Sequence, residues 1–106
     1  MKLRESELVA TVDTVSVTEL RVWVREGWVR PADDEAGPVF DEADVARVRL
    51  VCDLRDRLEI EEATIPVILS LVDQVHGLRR ELRALADAVA QQPESVRRKI
   101  LSERNS

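Results

Sequence analysis

Residues 16–31 read SVTELRVWVREGWVRP, and this stretch decides the fold. Ser16 stands three residues before Glu19, the spacing of a capping box, in which each side chain accepts the other residue's amide proton. Leu20, Trp23 and Val24 then recur at helical spacing on one face. Gly27 ends the helix, because glycine enters the left-handed conformation of a helix stop without a steric penalty. Trp28 and Val29 follow as an apolar stub, and Pro31 forbids resumption. A helix this short is unstable alone and requires neighbours to bury its face.

Upstream, residues 4–12 read as a first helix with Leu8, Val9 and Val12 facing inward and Ser6 as a weak cap, after a brief strand at Lys2 and Leu3. Asp13 and Thr14 supply the turn, so the two helices form a helix-turn-helix, although an unspecialised helical hairpin would carry the same pattern. Downstream, Ala-Asp-Asp-Glu-Ala-Gly-Pro at 32–38 is a turn by composition, and Val39 with Phe40 is expected to return as a strand against Trp28 and Val29. Asp41 caps the next helix, with Asp44 in the box position and Glu42 in the first turn, where the helix dipole favours acids. That helix is expected to reach Leu58. Its apolar residues, Val45, Val48, Leu50, Val51, Cys52, Leu54 and Leu58, cover over half of its circumference and demand packing on two sides, while Arg49, Asp53 and Asp56 mark the wet face.

A bend at residues 59–62 leads to a last helix, with Thr64 as a cap and Pro66 tolerated in the first turn. Along it Ile68, Leu71, Val75, Leu78, Leu82, Leu85 and Val89 alternate spacings of three and four, a heptad seam suited to a homodimer. Ile65, Leu69 and Val72 lie off the seam, so the start of this helix also packs on the chain's own core. Pro93 stops the helix. The expected domains are 1–61, a winged helix-turn-helix domain; 62–92, a long dimerisation helix; and 93–106, a short basic amphipathic tail prone to fray.

The run from Leu20 to Pro31 resembles the second helix of MerR-type winged helix-turn-helix domains, whose usual pattern is Leu-Arg-Tyr-Tyr-Glu-Arg-Glu-Gly-Leu-Leu-x-Pro. The resemblance continues through Val39-Phe40-Asp41-Glu42-Ala43-Asp44-Val45, which matches the strand and helix start after the wing, and covers the chain from Leu3 to about Val89. It implies a mainly α fold with a short two-stranded wing and a long C-terminal coiled-coil helix. The small size, acidic middle and shortened wing look more like the CbpM branch of chaperone modulators than a DNA-binding activator. β-branched residues alternating with leucine along the seam suit a parallel pair, whereas the resemblance implies antiparallel crossing, and on that resemblance an antiparallel pair is expected.

With 106 residues, the chain makes one small domain plus an appended helix. Only Phe40, Trp23 and Trp28 are aromatic, so no base-stacking surface is expected. The single Cys52 excludes an internal disulfide, reads as a small buried hydrophobe and suits a reducing compartment. With no charged-then-apolar leader and no membrane-length apolar run, a soluble cytoplasmic protein is expected. Residues 32–62 hold eleven Asp/Glu against four Lys/Arg, so this block alone carries −7, whereas the net charge of the chain is −5.

No catalytic constellation is legible. The lone histidine, His76, reads as solvated or helix-packing, one Cys and one His cannot close a zinc site, and the glycines are too scattered for a phosphate loop. No cofactor is expected, and an enzyme is not. Two function classes survive. In the first, a dimer presents an acidic surface, Asp33, Asp34, Glu35, Asp41, Glu42, Asp44, Glu61 and Glu62, to a basic partner, with Trp28 as an apolar anchor or as part of the core. Proteins of the CbpM branch bind the J-domain of a DnaJ-like (CbpA-type) co-chaperone and inhibit its engagement of Hsp70, so the resemblance implies that partner. The plain reading of the same acids is a solvated face that keeps a small protein soluble. In the second class, a MerR-family transcription regulator, Arg21, Arg25 and Arg30 would contact DNA. Against it, the wing has no basic residue where phosphates would approach, and Val22 and Trp23 replace the paired tyrosines.

Overall fold

The computed structural model describes residues 1–104. Helix α1 (Glu5–Thr11) and helix α2 (Val17–Arg25) are followed by strands β1 (Ala32–Asp34) and β2 (Gly37–Val39), helix α3 (Glu42–Asp56), a 3-10 turn at Glu62–Thr64, helix α4 (Ile65–Ala90) and helix α5 (Glu94–Arg104). The expected architecture, a mainly helical winged helix-turn-helix with a two-stranded wing and a long C-terminal helix, is the one observed. None of the described helices is long and apolar enough to cross a membrane.

Local chemistry sets the helix ends. Ser16 Oγ accepts from the Glu19 amide at 3.1 Å, and Glu19 Oε1 accepts from the Ser16 amide at 3.0 Å. Asp41 and Asp44 make the same reciprocal pair at 2.9 Å ahead of α3. The first helix is capped two residues before Ser6, at Arg4, whose amide donates to Glu7 at 2.9 Å. Helix α2 closes in a Schellman motif, with Gly27 at φ 79°, the Trp28 amide on the Trp23 carbonyl at 2.9 Å and the Gly27 amide on the Val24 carbonyl at 3.1 Å.

That closure corrects the expected wing. The amides of Trp28 and Val29 both turn back to the Trp23 carbonyl, and both side chains are buried, so neither residue is available as a strand partner. Val39 pairs instead with Ala32, and the hairpin turns through Glu35 and Ala36. The positive φ that this tight turn needs falls on Gly37, at 117°. Phe40 exchanges both backbone hydrogen bonds with Leu3 at 2.8 Å, which ties the wing's exit to the expected N-terminal strand residue.

The structure divides into two compact units, the first being Met1–Leu69. Its core gathers Leu8, Leu20, Trp23, Phe40, Val45, Val48, Val51, Cys52, Leu54, Ile65 and Leu69, with Val24 and Ile68 packed against it. The opening turns of α4 thus belong to this core, as Ile65 and Leu69 foretold. Leu58 does not: it is 63% exposed. The last turn of α3 widens, with the Leu58 amide on the Asp53 carbonyl, and Glu59 at φ 51° swings the chain so that Ile60, not Leu58, returns to the core.

The second unit begins at Ser70. Its part of α4 exposes the seam: Leu71, Val75, Leu78, Leu82 and Leu85 are all accessible, and Val89 is half-buried. The expected basic tail carries helix α5. Pro93 stops α4 but also starts α5, because its carbonyl accepts the amides of Val96 and Arg97 at 3.0 Å. The final two residues of the expected tail lie outside the described residues.

Candidate functional site: the wing, the second helix and the tryptophan cleft

The wing is fastened to the start of α1. Arg4 donates to both Asp34 oxygens, at 2.8 and 2.7 Å, and reaches the Gly37 and Pro38 carbonyls at 3.4 Å. Asp34 also accepts from the Ala36 amide at 2.9 Å, which shapes the turn. These hydrogen bonds, that from Arg4 foremost, hold the Asp34 carboxyl below its ordinary pKa. Asp34 is therefore occupied internally. Asp33, on the other side of the alternating strand, and Glu35, in the turn, are exposed and form no ion pair among the described residues.

Asp41 and Asp44 are likewise used in capping α3. Burial pushes the Asp44 carboxyl up, whereas Asp41 is held down, first by the Asp44 amide. Glu42 stays exposed in the first turn. Glu61 and Glu62, also exposed, precede α4 beyond the opposite end of α3. Since a fifteen-residue helix rises about 22 Å, the acids divide into a wing group and a bend group.

On α2, Arg21 is bound to Glu5 through both Nε and Nη2, at 2.8–3.2 Å, which lowers the Glu5 pKa. Its partner lies on the preceding helix, so this candidate DNA contact is engaged within the molecule. Arg30 folds back onto the Gly27 carbonyl at 3.3 Å. Arg25 is exposed and forms no ion pair among the described residues.

Trp28 is 8% exposed and belongs to the core, with its carbonyl accepting from Arg47 Nε. Its ring nevertheless lines a cleft of about 320 Å³ with Trp23, Val22 and Ile60, rimmed by Glu19, Arg55 and Glu62. The two indoles stack with centroids 6.3 Å apart and planes 29° from parallel. The Arg55 guanidinium lies 5.3 Å from the Trp23 ring centre, pairs with Glu19 and Asp56, and donates to the Thr14 carbonyl at 2.8 Å. Sequence reasoning missed this cleft. Arg55 and Trp23 are 32 positions apart, and no local periodicity signals that a cation on α3 will stack on an indole of α2.

Cys52 is buried, and burial pushes its thiol up, which makes it a poor nucleophile. His76 is exposed on α4. Among the described residues, no group of His, Cys, Asp and Glu is placed to hold a metal ion.

No curated protein and no solved structure matches the chain. The model of the family described as MerR HTH family regulatory protein matches residues 2–87, from just before the Leu3–Phe40 bridge to the last turn of α4. The chain therefore belongs to the MerR helix-turn-helix family of regulatory proteins.

Proposed function

We infer that this protein is a non-enzymatic regulator that binds a basic protein surface, the J-domain of a DnaJ-like co-chaperone, and keeps it from engaging Hsp70. One observation carries the reading. The wing, which in a DNA reader approaches phosphates, offers the unpaired carboxylates of Asp33 and Glu35, and the one guanidinium that reaches it, Arg4, is matched by Asp34. A field of that sign repels a phosphate backbone and speeds encounter with a basic helix. Of the three arginines that would serve DNA, Arg21 is held by Glu5 and Arg30 folds back onto the Gly27 carbonyl, while Arg25 is exposed. The protein acts in the cytoplasm as a homodimer through the α4 seam, whose leucines no part of the described chain covers.

The test is calorimetric titration of the full chain with the isolated J-domain of its host's DnaJ-like protein, at low and moderate salt. Binding on the order of micromolar that weakens with salt, and weakens further in the Asp33→Lys/Glu35→Lys variant, supports the reading. Asp34 is left intact because it holds Arg4. No binding at low salt, together with a low-salt shift of duplex DNA, overturns it in favour of a transcription regulator.

A further inference from the structure

The tryptophan cleft shares no lining residue with the wing or the α4 seam, and of the capping residues only Glu19 borders it. At about 320 Å³ it is at the small end of ligand clefts, which run roughly 300–1,000 Å³, and suits one or two side chains. Its chemistry selects the kind. The floor is apolar and aromatic, built from Trp23 and Trp28 with Val22 and Ile60. Arg55 already rests on the Trp23 ring at 5.3 Å, so a cation on this indole floor is a stable arrangement within the molecule itself.

The charge at the opening is unbalanced. Arg55 is matched by both Glu19 and Asp56, and Glu62 on the rim forms no ion pair among the described residues. On the rim itself two carboxylates, Glu19 and Glu62, thus stand against the one guanidinium of Arg55, which Asp56 also pairs from outside the cleft. An occupant that satisfies both the floor and the rim has an aliphatic stem and a positive head.

We propose that this cleft is the anchor site for the basic partner helix, taking one long lysine or arginine side chain whose methylenes lie on the indole floor and whose charge meets Glu62. The proposal rests on the J-domain reading above and adds the desolvated contact that steering charges alone do not supply. The cleft and the wing acids flank opposite ends of α3, so their contributions are additive.

The test uses the full chain and a J-domain free of tryptophan. Trp23 and Trp28 are the only tryptophans of the chain, so its indole emission reports on the cleft directly. Adding the J-domain is expected to change that emission. Thr18→Phe, which plugs the cleft from its exposed rim, and Glu62→Arg are each expected to weaken binding at least about tenfold, with circular dichroism and thermal midpoint unchanged. If Thr18→Phe disturbs folding, Glu62→Arg alone decides. Wild-type binding with unchanged emission and equal affinity for the variants overturns the cleft proposal and leaves the J-domain reading standing. A change of oligomeric state in Thr18→Phe also overturns it, by assigning the cleft to a second copy of the chain. Absence of any wild-type binding removes the J-domain reading itself.

Discussion

Arg4 and Asp34, 30 positions apart, are joined by two hydrogen bonds of 2.8 and 2.7 Å that clamp the wing to the start of the first helix. The clamp has a pH signature. Asp34, Glu5 and Asp56 are all held below their ordinary pKa by arginine donors, so the stability they contribute is present above the unfolded carboxylate range and is lost as pH falls through the folded values. Asp44 works the other way, because burial disfavours its ionised form and protonation relieves it. The thermal midpoint is expected to hold near neutrality and to fall below about pH 4. Arg4→Ala is expected to blunt that fall and to speed amide exchange in the wing. Unchanged exchange there would show that the clamp does not order the hairpin.

Glu59 occupies a left-handed conformation, φ 51°, that glycine adopts more readily. Glu59→Gly removes the strain while adding freedom to the unfolded chain, for a net stabilisation of roughly 0.5–1 kcal/mol. Urea unfolding with an unchanged slope measures it. A loss of stability would mean that the Glu59 side chain contributes more than its backbone strain removes.

Cys52 is buried in α3, and its thiol is pushed up by that burial. The native protein is expected to react with an aromatic disulfide reagent only at the rate of its opening, and the urea-unfolded chain at once. Rapid native labelling would show that the core around α3 opens easily.

Leu78 and Leu82 of α4 are 64% and 66% exposed in the single chain. If the seam pairs two copies, Leu78→Asp or Leu82→Asp is expected to yield a monomer by light scattering, with the fluorescence of the buried tryptophans retained. Leu71→Cys settles direction, since a parallel pair brings the two introduced thiols together and an antiparallel pair separates them. A monomeric wild type would remove the dimer.

What the sequence determined by itself is what a few neighbouring residues can decide. Ser16 with Glu19, Asp41 with Asp44, Gly27 and Pro93 set the helix boundaries, because a cap is satisfied within one turn of the chain. The period of Ile65 and Leu69 placed the start of α4 in the core for the same reason. Tertiary structure alone decided which distant groups meet. The wing's register followed from Trp28 and Val29 being consumed in closing α2, and the loss of Leu58 from the core from the swing at Glu59. Arg4 on Asp34, Arg21 on Glu5 and Arg55 on Trp23 depend on where successive turns aim whole helices. Periodicity states which face of a helix is apolar or charged. It carries no information about what that face will touch, and so the acidic block was legible as a block while its division between wing, caps and cleft rim was not.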